Sequence, residues 1–133
     1  MSFIDLNVTD AKEARVAPEG IYTHRIHEAT IEDGKKPGTK NIRVMTIIEG
    51  EDEFAPVFTY LSLPNSQDDE KAKNFKKLQI RRFLHAFNIP YDPSGFNVED
   101  FAGATGDVLT VVEVYEGRES NKLQLPRLPD ELE

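Results

Sequence analysis

Apolar and polar residues alternate along most of this chain, and the alternation changes period once. Gly20 to Ile31, GIYTHRIHEATI, is rich in β-branched and aromatic residues and predicts a long first strand. Its two faces are mixed, which predicts a bulge or a strong bend. After a loop from Asp33 to Lys40 comes Asn41 to Glu49. There Ile42, Val44 and Ile48 share one face, and Arg43, Met45 and Ile47 share the other. Gly50-Glu51-Asp52-Glu53 predicts a tight acidic turn. The third strand, FAPVFTYLSLP, places Val57, Leu61 and Leu63 on a core-facing side with Thr59 between them. Phe58, Tyr60 and Ser62 take the opposite side.

The helical period begins after Pro64. Asn65 or Ser66 is a cap, with Asp68, Asp69 and Glu70 in the first turn at the positive end of the helix dipole. Ala72, Phe75, Ile80, Phe83, Ala86 and Phe87 recur at helical spacing and predict the buried face. Lys73, Lys77 and Arg81 repeat on the other side as a solvated face. Pro90 enforces a stop, because the residue before a proline avoids the α region. Asn97 caps a short turn, Val98 to Phe101, and Gly106 releases DVLTVVEVYE as a fourth strand. Glu116 to Asn121 is then a turn, and KLQLP a short last strand that Pro126 and Pro129 keep from lengthening.

Three segments follow. Residues 1–19 are an arm with the alternation Ile4, Leu6, Val8 and a turn of helix around Asp10 to Arg15. Residues 20–127 form the domain. Residues 128–133 are a short acidic tail whose closing Leu132-Glu133 is compatible with a tag remnant. The element order is three strands, a helix, then two strands. A mainly β fold is expected, a five-stranded OB-fold Greek-key barrel with one helix between strands 3 and 4. In that architecture the face of strands 2 and 3, with the loops joining strands 1–2 and 4–5, binds oligonucleotides and oligosaccharides. Here those loops are Asp33 to Lys40 and Glu116 to Asn121.

Three stretches in this order resemble one family: PEGIYTHRIHEATI, the helix end FLHAFNIP, and FAGATGDVLTVVEVYEGRESNKL with its E-G-R-x-x-N turn. The chain resembles small phage-encoded single-stranded-DNA-binding proteins of OB type that accompany recombination and replication genes. The resemblance implies single-stranded DNA as ligand and a role in phage DNA replication and recombination in the cytoplasm of an infected bacterium. It also implies an acidic C-terminal tail that touches replication and recombination proteins or competes with DNA. Here the tail is short and lacks a terminal aromatic residue.

Composition narrows the chemistry. A chain of 133 residues fits one domain, and the absence of cysteine excludes disulfides and thiol catalysis. The N-terminus lacks the charged and apolar regions of a signal peptide. No segment approaches the roughly 18 apolar residues of a membrane span, so no membrane association is expected. The sequon Asn7-Val8-Thr9 then reads as accidental. The formal net charge of -8 opposes duplex binding by the whole surface. Basic residues are segregated, however, and Lys71 to Asn88 holds six of them with no acid.

Single-strand binding needs cations along a groove and exposed aromatic faces. Lys35, Lys36 and Lys40, with Arg43 on the next strand, supply cations on one side, and Arg118 and Lys122 on the other. Phe58 and Tyr60 supply the faces. The competing readings are aromatics packed beneath the helix or the arm, and loop lysines that are merely solvated. No cofactor or metal is expected. His24 and His27 fall on opposite strand faces, and His85 is alone. DGKKPGTK has Gly-Thr-Lys in place of Gly-Lys-Thr and precedes a strand, so it is not a phosphate loop; Gly103-Ala104-Thr105-Gly106 also precedes a strand. The acidic clusters Glu51-Asp52-Glu53 and Asp68-Asp69-Glu70 have structural explanations. An enzyme is therefore not expected. The alternative is an OB-like module that binds a host or phage replication protein, and either reading leaves room for a homo-oligomer.

Overall fold

Backbone pairing turns the alternating segments into strands and sets which face of each is buried. The computed structural model describes residues 2–132. Its strands are β1 (Gly20–Asp33), β2 (Lys40–Ile48), β3 (Val57–Ser62), β4 (Thr105–Tyr115) and β5 (Arg118–Gln124). One helix, α1 (Glu70–Ala86), lies between β3 and β4, with short 3-10 turns at Val98–Asp100 and Pro129–Leu132. The fold is mainly β: one antiparallel sheet in the order β3-β2-β1-β4-β5. The two edge strands, β3 and β5, approach within 8 Å, Cα to Cα, without a ladder between them. No helix among the described residues is long and apolar enough to cross a membrane.

β1 is shared between two partners. Gly20 to Arg25 pairs with β4, and His24 to Asp33 pairs with β2. The mixed pattern of this strand has the expected cause. The register shifts between Ile26 and Glu28, so His27 is the extra residue of a bulge. His24 and Ile26 are buried before it, and Ala29 joins the margin of the core after it.

The inner face of β2 and β3 is as the alternation predicts: Ile42, Val44, Thr46, Ile48, Val57 and Leu61 are buried. Against it α1 packs Ile80, Phe83 and Leu84, extended by Phe87, Ile89 and Phe101. Phe83 stacks on Phe87 at 4.7 Å and on Phe101 at 5.8 Å between ring centroids. The helix ends where Asn88 turns left-handed (φ 54°). The amides of Asn88 and Ile89 then reach back to the carbonyls of His85 and Leu84.

Several expectations need correction. The cap of α1 is Asp69, whose carboxylate accepts from the Ala72 amide at 2.7 Å. Asn65 and Asp68 instead organise the preceding turn, where Asp68 also takes Lys76. Phe75 is 62% exposed, because it sits where α1 overhangs the gap between β3 and β5. The arm holds no helical turn at Asp10 to Arg15. Its Arg15 pairs in parallel with Phe54, and Ala17 is buried under hydrogen bonds to the Asn121 side chain. The third strand begins at Val57, since Phe54 and Ala55 are occupied by that pairing. The turn after β4 has two residues, Glu116 and Gly117, both left-handed at φ 50° and 80°. That pair matches the twist of a two-residue hairpin, so Arg118 to Asn121 belong to β5.

The acidic tail folds back onto α1. Leu128 is buried, Asp130 meets Arg81 at 3.0 Å, and Glu131 makes a close ion pair with Arg82. Glu133 lies outside the described residues, so the reading of Leu132-Glu133 as a tag remnant does too.

Candidate nucleic-acid interface

Because Ile42, Val44, Val57 and Leu61 fill the core, the residues between them must face outward. Arg43 and Met45 on β2 stand directly opposite Tyr60 and Phe58 on β3. Phe58 is 41% exposed and Tyr60 56% exposed; neither is packed beneath the helix or the arm. The Arg43 guanidinium lies over the Phe58 ring, 4.6 Å from its centroid, and reaches Glu28 on β1 at 3.3 Å. The Tyr60 hydroxyl, and then the Glu28 carboxylate, hold its pKa above the ordinary guanidinium value. The result is a flat platform of one cation and two rings on the outer face of the sheet.

The sequence-predicted cations fall into two groups around this platform. Arg118 shares a groove of about 820 Å³ with Phe58 and Tyr60, between β3 and the β4–β5 hairpin. Lys122, four residues further along β5, lines a second cleft of about 600 Å³ along the β3–β5 seam, which Tyr60 also lines. These two cations therefore flank the aromatic pair. Lys35, Lys36 and Lys40 belong to the β1–β2 loop and line only a shallow depression made by residues 33–40. Lys40 stands three residues from Arg43, roughly 10 Å along β2, and is 3.6 Å from Asp33. By alternation Lys40 takes the face of Ile42 and not that of Arg43, so the lysine loop shares no groove with the platform and does not enclose it.

Two features of the site escape the sequence reading. Glu13, Glu113 and Glu119 line the same groove as Arg118, so its charge is mixed. Their convergence depends on the hairpin register and on the course of the arm, and no local pattern announces either. Met45 adds a soft apolar contact opposite Phe58; its alternation with Arg43 was the available signal. Of the helix cations, Lys76 lines the seam cleft with Tyr60 and Lys122 but is held by Asp68; Lys73 meets Glu70, Arg81 meets Asp130 and Arg82 meets Glu131.

Beneath the platform lies a buried polar group. His24 is fully buried, with Nδ1 3.1 Å from Thr46 Oγ1 and Nε2 2.7 Å from Thr110 Oγ1. Desolvation pushes its pKa down to about 4, so it is a neutral crosslink between β1, β2 and β4 near pH 7. Among the described residues no cluster of three or more His, Asp or Glu is placed to hold a metal. No protein-family model matches the chain, and no curated protein matches it either.

Proposed function

We propose that this chain is an OB-type protein that binds single-stranded DNA without sequence preference through the outer face of β2 and β3. The observation that carries the reading is the platform of Arg43, Phe58 and Tyr60, exposed on the sheet and flanked by Arg118 and Lys122. Exposed rings stack any base, and cations beside them neutralise the phosphates that connect stacked bases. The barrel reading rests on the strand order β3-β2-β1-β4-β5, the approach of β3 to β5, and the helix between β3 and β4. In this reading the protein coats exposed strands during phage replication and recombination in the bacterial cytoplasm and performs no covalent chemistry.

The test is fluorescence anisotropy of a labelled oligo-dT at low and moderate salt. Binding at micromolar protein that weakens steeply with salt is expected, because neutralised phosphates release counterions. Absence of binding at low salt would sink the reading. Glu13, Glu113 and Glu119 beside Arg118 favour one alternative, a groove for a basic segment of a replication protein. Charge reversal at Arg118 and Lys122 separates the two. It abolishes oligo-dT binding in the first reading and leaves capture of a basic segment intact in the second.

A further inference from the structure

The arm ahead of Ala17 carries an apolar face that nothing covers. Ile4, Leu6 and Val8 alternate along it and are 74%, 68% and 66% exposed, and Phe3 beside them is 89% exposed. Ile21 and Val114 on the strands are about as exposed, but each stands singly, whereas the arm residues lie close together in sequence. A run of this kind in water is ordinarily half of an interface.

The molecule also carries a matching half. The cleft of about 600 Å³ along the β3–β5 seam is walled by Leu61, Val111, Leu123 and Leu125 and overhung by the exposed ring of Phe75. The strands on its two sides are sheet edges with no ladder between them, and they approach within 8 Å, Cα to Cα, too close for a third strand to pair between them, so a segment seats here through its side chains. Thr59, on its wall, holds the one buried side-chain polar atom without a hydrogen-bond partner among the described residues. Lys122 stands at the rim, opposite in sign to Asp5 and Asp10 of the arm.

Direction and reach decide which molecule supplies the segment. Arg15 pairs in parallel with Phe54, so the residues just before Arg15 run opposite to β3; a turn from Val8 to Ala11 then redirects the chain, and the apolar run stays exposed outside its own cleft. Extended, residues 2–14 span up to roughly 45 Å. A domain of this length is only about 35–40 Å across. The arm is thus long enough to reach across a neighbouring copy, and its apolar residues do not fill their own cleft.

We propose that the arm of one copy seats Ile4, Leu6 and Val8 in the β3–β5 cleft of a second copy. Reciprocal exchange closes a dimer, and one-way exchange makes a chain of subunits. The contact depends on neither nucleic acid nor the function proposed above. It does place the assembly surface beside the platform, because Tyr60 lines both the seam cleft and the groove.

Sedimentation velocity of the full chain over a range of micromolar concentrations tests this, without nucleic acid. The expected result is a concentration-dependent dimer or larger species that both Leu6→Asp and Phe75→Glu convert to monomer. Both substitutions are at exposed positions, and thermal melts confirm that the variants fold. Mixing the two variants is decisive: the intact arm of Phe75→Glu fits the intact cleft of Leu6→Asp, so a one-to-one complex returns. A wild-type monomer at every concentration, assembly that survives Leu6→Asp, or a mixture that stays monomeric would each overturn the proposal.

Discussion

His24 shows how one residue ties the sheet to solvent pH. Its ring is buried between two threonine hydroxyls, and burial lowers its pKa from 6.5 to about 4. The unfolded chain therefore binds a proton that the folded chain refuses between those values. Stability is fully present above pH 6.5 and declines as pH falls toward 4, by about 3 kcal/mol in all. Urea melts of wild type and His24→Leu between pH 7 and 4 check this. The variant should lose that slope, while the Thr46 and Thr110 hydroxyls, freed from the ring, can donate to the carbonyls of Val57 and Val108. Equal slopes in the two proteins would contradict the assignment. Gly106 is a second residue-scale constraint. A Cβ there would overlap the Ala86 carbonyl, because β4 passes directly under the end of α1. Gly106→Ala should therefore cost about 1–3 kcal/mol, as other overpacked substitutions do. A melting temperature unchanged from wild type would show that the helix end yields freely.

At the scale of elements, the β4–β5 hairpin carries a local conflict. Glu116 is held at φ 50°, where a residue with a charged, unbranched side chain is disfavoured and Asn is at home. Glu116→Asn should stabilise the protein by roughly 0.5 kcal/mol, in the range of other backbone-matched substitutions. A denaturant midpoint that moves down would count against the turn geometry. The tail and α1 form a second coupled pair. Arg82 and the Leu128 amide hold the Glu131 carboxyl down to about 2. Their pairing is present above the ordinary carboxylate range and is lost as pH falls through that value. The helix face that reads as solvated in the sequence is partly neutralised by a segment nearly fifty residues away.

At the scale of the whole molecule, an acidic protein can bind a polyanion only where its cations gather. The proposed groove predicts two separable defects. Lys122→Ala should reduce the slope of log affinity against log salt by about 0.7, the single-strand value per phosphate contact. Phe58→Ala should weaken binding by about 1–3 kcal/mol while leaving that slope unchanged. Titrations of both variants at three salt concentrations separate the effects, and a Phe58→Ala protein with wild-type affinity would exclude base stacking at that ring.

The sequence by itself determined the elements and their faces. Period-two alternation fixes which side of β2 and β3 is apolar and sets Arg43, Phe58 and Tyr60 on the other, while leaving open whether the helix or the arm covers the two rings. Helical periodicity and Pro90 did the same for most of α1. Only the tertiary structure decided what met across the chain. Phe75 shares its helix's apolar period and is still exposed, since its turn overhangs a seam instead of a sheet. Glu113, Glu119 and Glu13 come together beside Arg118 because of hairpin register and the course of the arm. Asp130 and Glu131 close on Arg81 and Arg82 through a fold-back that no local pattern encodes. Alternation and capping are properties of neighbouring residues, whereas convergence between distant segments is set by how the sheet twists and which edges it leaves unpaired.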